Sequence, residues 1–309
     1  MKRRIRFFLS SLTPGDAITI AFLGFLSLIN VIFAGRIPEW LPIIAVNIVV
    51  TGMIILISHY SHNGHGISQF VHRWYVILII IFVYKEIYFM NRTIHFGRDY
   101  DAFLIAVDHA LFGADPTQWM MQFANPILTE VLQIAYASYY FLMIYLGFEL
   151  HRERRQNEFL FTLFCIFYGF YLSYLGYLTL PSVGPRFTLH DFHSMSTELP
   201  GLWLTDFIRT GINLGESIPM NAVNPIDYVQ RDVFPSGHTQ MTLIVMILSL
   251  RYRIRCRWAV IAIGSLLIVS TVYLRYHYVI DLFVGFAFAL GCIIAAPRLY
   301  RWWIFRIKD

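Results

Sequence analysis

The chain has 309 residues, of which 57% are hydrophobic and only 14% are charged. Soluble domains carry about 25% charged residues, so this composition excludes an ordinary soluble enzyme. A mean hydropathy of +0.58 and long uncharged runs indicate a polytopic helical membrane protein instead. The net charge of +5 does not indicate a nucleic-acid partner, because the basic residues lie in short segments between apolar runs.

The cysteines and the basic N-terminus each exclude a simple alternative. Cys165, Cys256 and Cys292 show no C-x-x-C spacing, which argues against a zinc site and a disulfide framework. The segment MKRRIRFF precedes an apolar run without a convincing cleavage site. We therefore expect it to be a retained anchor rather than a removed signal peptide.

Eight apolar runs are candidates for membrane-spanning helices, each of which needs about 20 residues. In chain order they are residues 17–34, 41–58, 74–91, 127–150, 159–181, 237–252, 258–276 and 279–298. The sixth run is short and the fourth is long, which predicts tilted helices or recessed ends. The expected fold class is an all-α, polytopic membrane helical bundle.

The placement of lysine and arginine orients these spans, because short cytosolic loops are enriched in both residues. With the N-terminus inside, the inner segments hold 16 of the 24 basic residues, namely Lys2, Arg3, Arg4, Arg6, Arg73, Arg152, Arg154, Arg155, Arg251, Arg253, Arg255, Arg257, Arg298, Arg301, Arg306 and Lys308. Both termini are therefore predicted to be cytosolic, and a bacterial inner membrane is the expected location. The long connections 92–126 and 182–236 then lie on the outer, periplasmic face.

The first outer connection contains two segments with helical spacing of apolar residues, DAFLIAVDHALFG and DPTQWMMQFANP. Both are too short and too polar to cross a bilayer. They are predicted to form interfacial helices.

An arginine follows a rigid turn in the second outer connection, in LPSVGPRF at residues 180–187. A guanidinium group presents a planar fork of donors that matches phosphate oxygens. Arg186 is therefore a candidate substrate-binding residue. The simpler interpretation is an interfacial arginine that touches lipid headgroups.

The segment RDVFPSGHTQ, residues 231–240, ends the same connection just before an apolar run. Pro235 and Ser236 favour a helix start with the serine as N-cap, and Gly237 allows a ligand to approach the backbone. Because the first N–H groups of a helix bind anions, Ser236 and Gly237 are candidate substrate ligands. His238 can donate a proton to a phosphate oxygen, although a cap with an incidental histidine also fits this pattern.

The third feature is YLRYHYVIDLFVG, residues 273–285. His277 and Asp281 are four residues apart and so share one face of a helix. If the aspartate accepts a hydrogen bond from one nitrogen of the histidine ring, the other ring nitrogen is left unprotonated and can act as a nucleophile. Arg275 is a second candidate phosphate ligand. The alternative is a purely structural pair, in which the buried histidine and aspartate only hydrogen-bond to each other. Polar pairs at the ends of membrane spans are, however, often functional.

These three features share the predicted outer face and together form a coherent phosphoester site. His277 would attack phosphorus, His238 would protonate the leaving oxygen, and the arginines would stabilise the equatorial oxygens. Such a set needs no metal. The predicted catalytic residues are His238, His277 and Asp281, with no metal or other cofactor.

These motifs resemble those of the type 2 phosphatidic acid phosphatase superfamily, in which P-S-G-H matches Pro235 to His238 and H-x-x-x-D matches His277 and Asp281. The resemblance covers roughly the last two-thirds of the chain. It implies a six-helix catalytic domain at 74–309 after a two-span extension at 1–73. It also implies that His238 is the general acid, His277 the nucleophile and Asp281 its orienting residue. A phosphohistidine intermediate would then pass to water or an alcohol.

Two family positions differ in this chain. The family has a lysine before the arginine of its first motif, and this chain has Thr179 there. The family has an arginine before the histidine of its third motif, and this chain has Thr271 there. The variants GPR, HYVID and DHALFGADP are similar to those of the inositol phosphorylceramide synthase branch. That branch transfers a phosphorylated headgroup from a phospholipid to a lipid hydroxyl. The implied partners are a phospholipid or lipid phosphate and, in a transferase, a lipid alcohol acceptor.

The same sequence allows other interpretations. A transporter could use the same residues as a proton relay, although transporters place ionisable groups near the midplane. His59, His62, His65 and His72 have a spacing that suggests a metal, but glycines interrupt any helix there. Lys85 and Glu86 lie within the third span, where charged residues usually have a partner. They are expected to pair with each other or with Glu130. Alternatively, Lys85 replaces the lysine that the first family motif has and this chain lacks. Tyr136, Tyr139 and Tyr140 are expected to pack rather than bind substrate.

Overall fold

A computed structural model of the chain describes residues 11–64 and 66–308. Within these residues the regular secondary structure is helical throughout, which confirms the predicted all-α class. The segment MKRRIRFF, expected to be a retained anchor, and His65 lie outside the described residues.

Helices are found at all eight predicted spans. Five stretches are long and apolar enough to cross a membrane: Pro14–Ile32, Trp40–Ser61, Ile67–Ile94, Gln156–Thr179 and Val279–Phe305. A sixth candidate is the pair Pro126–Ala137 and Tyr139–Arg152, bent by 49°. The other two helices have 15 and 17 residues, fewer than the about 20 of a full span. This set of apolar helices is that of a multi-pass membrane protein.

The chain forms two compact units. The described part of the first runs to Gly97 and adds Leu160–Tyr171 and the segment from Gly291. Its own helices are α1 (Pro14–Ile32), α2 (Trp40–Asn63), α3 (Ile67–Trp74) and α4 (Val76–Ile94). The unit also takes parts of two later helices.

Two buried acidic side chains of the first unit, Asp16 and Glu86, have hydrogen-bond partners on other helices. His72 Nε2 lies 2.9 Å from Asp16 Oδ2, which gives this histidine a carboxylate partner. Glu86 Oε1 accepts from Asn47 Nδ2 at 2.8 Å. The described residues contain no group of three or more histidines, cysteines or acidic residues that could hold a metal, and the side chain of His62 lies outside them.

The second unit comprises Arg98–Phe159 and Leu172–Leu290 and contains the predicted site. Its helices are α5 (Asp101–Phe112), α6 (Pro116–Met120), α7 (Pro126–Ala137), α8 (Tyr139–Arg152), α9 (Gln156–Thr179, shared with the first unit), α10 (Pro185–Thr188), α11 (Met195–Glu198), α12 (Thr205–Gly215), α13 (Gly237–Arg251), α14 (Arg257–Tyr273) and α15 (Val279–Lys308, also shared). Three short 3-10 turns lie at Met121–Phe123, Phe192–Ser194 and Pro225–Asp227. Helices α5 and α6 lie at the two segments predicted to be interfacial.

Helix packing in the second unit places the long connection 182–236 beside the bent pair. α13 packs along α14, α14 along α7, and α12 along α7. The carboxylate of Glu130 on α7 accepts from the N–H groups of Leu202 and Leu204 at 2.9 and 2.7 Å and from Thr205 Oγ1 at 2.6 Å. Carboxylates at helix N-termini satisfy free donors, so Glu130 anchors the start of α12.

Candidate active site

The helix that carries His238 begins as predicted. Ser236 is the N-cap of α13, and its Oγ accepts from the Thr239 N–H at 3.2 Å. Ser236 is fully buried, and its own N–H donates to the carbonyl oxygen of Asp281 at 3.0 Å. The cap therefore ties the start of α13 to the start of α15.

Gly237 lies against a tyrosine. A Cβ atom at this position would overlap the hydroxyl of Tyr177, and the Gly237 carbonyl accepts from Tyr139 Oη at 3.3 Å. Only glycine permits so close an approach. Substrate contact by Ser236 and Gly237 stays a prediction.

Two of the three tyrosines expected to pack do so against the ring of His238. The centroid of the His238 ring lies 4.5 Å from that of Tyr136 and 4.3 Å from that of Tyr139. Both tyrosines are buried. Their rings restrict the rotamers open to His238, a contact that the spacing of the tyrosines did not reveal.

A tight turn after α14 carries His277. Arg275 adopts a left-handed conformation with φ of 66°, which is uncommon for a residue other than glycine. The N–H groups of Tyr276 and His277 both donate to the carbonyl of Thr271, at 2.9 and 3.0 Å. The turn therefore holds the backbone of His277 in place before α15 begins.

The ring of His277 bridges a backbone carbonyl and the other predicted catalytic histidine. Its Nδ1 lies 2.9 Å from the carbonyl oxygen of Val233, and its Nε2 lies 3.3 Å from Nδ1 of His238. A carbonyl oxygen can only accept, so Nδ1 carries the proton. Nε2 of the neutral ring therefore keeps its lone pair and faces His238.

Asp281 lies near the same ring but makes its nearest hydrogen bond elsewhere. Its Oδ2 accepts from the Tyr278 N–H at 2.8 Å and lies 3.5 Å from His277 Nδ1. The aspartate thus accepts a hydrogen bond at the start of α15 and places its carboxyl group beside the imidazole. Val233 adds an acceptor that sequence reasoning did not anticipate, and the orienting role of Asp281 stays a prediction.

The electrostatic surroundings keep His277 neutral. Burial and, to a smaller extent, the charge of Arg186 lower the pKa of His277 to about 4, although the charge of Asp232 and the Val233 carbonyl oppose the decrease. Because a desolvated imidazolium is costly, the ring is unprotonated at neutral pH. This is the protonation state that a nucleophile needs.

Two aspartates of α5 organise the loops of the site, and sequence reasoning missed both roles. Asp101 Oδ1 accepts from the Gly184 N–H and from Tyr278 Oη, each at 2.8 Å. Asp108 accepts from the N–H groups of Val279 and Ile280, also at 2.8 Å. The sequence signal that could have indicated these roles is the presence of acidic residues in a helix that is too polar to cross the membrane. α5 therefore holds both the loop of Arg186 and the start of α15.

We expect Asp101→Asn to lower turnover about 10- to 100-fold, since one carboxylate oxygen becomes an N–H donor that faces backbone donors. A buried group left without its partner costs about 1–3 kcal/mol, so the thermal unfolding temperature should also decrease. Activity assays and thermal unfolding of the purified protein measure the two effects. Asp191→Asn removes an exposed capping carboxylate and should change neither value.

Arg186 is buried at the centre of a polar and aromatic cluster. Its Nη2 donates to Glu216 Oε2, and its Nη1 donates to Asn213 Oδ1 at 3.2 Å. The guanidinium carbon lies 4.7 Å from the centroid of the Tyr276 ring, and the Arg186 N–H donates to the carbonyl of Arg275 at 3.1 Å. These contacts hold Arg186 next to the turn that carries His277.

Arg275 is fully buried and its guanidinium is paired with Glu198. Nη1 of Arg275 lies 2.5 Å from Glu198 Oε2. Burial, and then the charge of Arg275, lower the pKa of His190 to about 4. Arg275 therefore acts on His190, whereas Arg186 acts on His277. Of the two predicted phosphate ligands, Arg186 has the clearer electrostatic connection to the histidine pair.

The two family positions that lack a cation hold threonines bonded to their own helices. Thr179 Oγ1 donates to the carbonyl of Gly176, and Thr271 Oγ1 donates to that of Ile268, both at 2.7 Å. A cavity of about 230 Å³ adjoins Tyr276, and its lining includes Arg209 and Asn213 but neither threonine. The polar contacts of the site come from the turns and from α12 instead.

A known protein family matches the part of the chain that carries this site. The sequence profile of the PAP2 superfamily matches residues 102–295, more than half of the chain. The chain belongs to the PAP2 superfamily. No curated protein and no solved structure matches it. PAP2 proteins are phosphatases and phosphotransferases that act on lipid phosphates.

The PAP2 match extends from α5 into α15 and includes every predicted site residue. It also contains Asp108, and Asp101 immediately precedes it. The division into an extension at 1–73 and a catalytic domain at 74–309 stays a prediction. So does membership of the inositol phosphorylceramide synthase branch.

Proposed function

We propose that this PAP2 protein transfers a phosphoryl or phosphorylated headgroup from a membrane lipid through a phosphohistidine on His277. The observation that carries the proposal is the histidine pair, in which His277 Nδ1 lies 2.9 Å from the Val233 carbonyl and Nε2 lies 3.3 Å from His238. One nitrogen is held by a backbone acceptor and the other is available to attack. This is the geometry that an imidazole nucleophile requires.

In the first step, the lone pair of His277 Nε2 attacks phosphorus and the bond from phosphorus to the lipid oxygen breaks. His238 gives a proton to that oxygen, which leaves as the alcohol of the lipid. Arg186 and Arg275 are the proposed phosphate ligands, with the backbone at Gly237, in the first turn of α13, as a further donor site. Asp281 and Val233 hold the His277 ring in its reactive tautomer.

In the second step, an acceptor oxygen attacks phosphorus and the bond to His277 Nε2 breaks. His238 takes the proton of the acceptor. Water as acceptor makes the protein a lipid phosphatase, and a lipid hydroxyl makes it a transferase of the inositol phosphorylceramide synthase type. We place the reaction at the periplasmic face of a bacterial inner membrane, with both termini cytosolic, because that orientation follows from the arginine-rich inner loops.

Product analysis tests this proposal. We expect the purified protein, incubated with mixed phospholipids, a lipid alcohol and a chelator, to release diacylglycerol, because the proposed steps use only side chains and backbone groups of the protein. Mass spectrometry identifies the second product. Free phosphate or a free phosphorylated headgroup indicates water as acceptor, and a new headgroup lipid indicates transfer. Solute flux in liposomes without any phosphoester turnover would instead support a transporter.

A further inference from the structure

Each arginine around Tyr276 is matched by a carboxylate from the connection 182–236. Arg186 is paired with Glu216, Arg275 with Glu198 at 2.5 Å, and Arg209 with Asp206 at 3.7 Å. The positive charges of the three guanidinium groups are therefore balanced by the negative charges of the three carboxylates paired with them. This balance is unusual for a site that must attract a strongly anionic group, because unpaired basic residues would bind it better.

Glu216 is the member of this set whose arginine, Arg186, lowers the pKa of His277. It follows the last residue of α12 and shares Arg186 with Asn213, three residues earlier. The Arg186 guanidinium lies against Tyr276 at 4.7 Å, and the Tyr276 ring stacks on Tyr136 at 4.3 Å. Tyr136 in turn stacks on His238. Only one guanidinium group therefore separates Glu216 from a phosphate bound by Arg186.

The charge of the phosphoryl group differs between the two classes of lipid substrate. A phosphomonoester carries about −1.5 to −2 charges at neutral pH, whereas a phosphodiester carries one. A phosphate held by Arg186 shares its cation with the Glu216 carboxylate. The second negative charge of a monoester then meets like charge in a poorly solvated site, where repulsion is weakly screened.

We propose that Glu216 is a specificity-determining residue that makes this site select a singly charged phosphodiester over a doubly charged phosphomonoester. The inference rests on the proposed function, since it assumes that the histidine pair cleaves a lipid phosphoester. It identifies the donor as a phosphodiester lipid. His277 then forms a bond to phosphorus, the diacylglycerol oxygen leaves with a proton from His238, and the headgroup stays on the phosphohistidine until an acceptor takes it.

Two lipids that differ in one methyl group test the inference. Phosphatidic acid is a dianion at pH 8, and phosphatidylmethanol of the same acyl chains is a monoanion. Both release diacylglycerol in the first step, so one assay of the detergent-solubilised full chain, with the same lipid alcohol present as acceptor, follows both. We expect the wild-type kcat/KM to be at least tenfold higher for phosphatidylmethanol. In Glu216→Gln this ratio should decrease at least tenfold, through faster use of phosphatidic acid.

Two further variants are matched controls. Glu216→Asp keeps the charge and should keep the wild-type ratio. Asp206→Asn removes a largely exposed carboxylate of α12 that pairs with Arg209, and should leave the ratio within about twofold.

The possible failures are distinguishable. If the wild type releases diacylglycerol from neither lipid, the proposed function is wrong and the inference with it. If it uses both and prefers phosphatidic acid, the inference is overturned and the proposed function stands, a result that needs no variant. An unchanged ratio in a folded Glu216→Gln protein likewise overturns the inference alone.

Discussion

Replacing His277 by alanine should lower lipid phosphoester turnover by at least about a thousandfold, because the variant loses the nucleophile on which both steps depend. The matched measurement is the covalent intermediate. Wild-type protein incubated with a phosphate-labelled lipid should carry label that is stable to base and released by acid, as a phosphohistidine is. His277→Ala should carry none.

His109→Ala is a suitable control for this variant. His109 lies on α5 in the same unit, is 54% exposed and pairs with Asp115 at 3.5 Å, so its loss should leave both turnover and labelling unchanged. Retained turnover in a folded His277→Ala protein, shown by an unchanged elution profile and thermal unfolding curve, contradicts the phosphohistidine mechanism.

The pH dependence of wild-type activity independently tests the protonation state of His277. The neutral ring is the active form, and burial lowers the pKa of His277 to about 4. Activity should therefore hold as the pH falls from 7 to about 5 and decrease only as it approaches 4. A phosphodiester lipid is the correct probe, since its own charge does not change in this range. An acid limb of kcat/KM near the ordinary value of 6.5 would show that His277 is protonated more easily than its surroundings imply.

Replacing His238 by alanine should give the second large effect, and one that depends on the leaving group. A general acid contributes about 10²- to 10⁴-fold when the leaving oxygen is that of an aliphatic alcohol. A nitrophenolate leaves without a proton, so loss of His238 should cost only about tenfold for a nitrophenyl phosphoester. The ratio of the two losses is the diagnostic quantity.

The comparison of substrates separates chemistry from structure for His238. Because its ring packs between Tyr136 and Tyr139, the alanine variant also leaves a cavity that could disturb the site. Such a disturbance lowers turnover of both substrates equally. Equal losses would therefore show that His238 supports the site by packing, and unequal losses would identify it as the proton donor.

Some of the site could be predicted because its signals are local in the sequence. The cap of α13 depends on Ser236 and Thr239, which are three residues apart. The separation of four residues predicted that His277 and Asp281 lie close together, and they are 3.5 Å apart. The prediction that both lie on one helix face was wrong, because His277 is in the turn before α15. The long uncharged runs likewise predict membrane helices, since a bilayer requires that length and composition.

Other parts depend on residues far apart in the chain. Val233 accepts from a histidine 44 positions later, Asp101 holds a loop 82 positions later, and Glu216 pairs with an arginine 30 positions earlier. No spacing rule links such residues, because their contacts arise only when the helices pack. The sequence by itself determined the all-α membrane class, the PSGH helix start and the histidine–aspartate pair. Tertiary structure alone decided which oxygen holds His277 and which carboxylates hold the loops and Arg186.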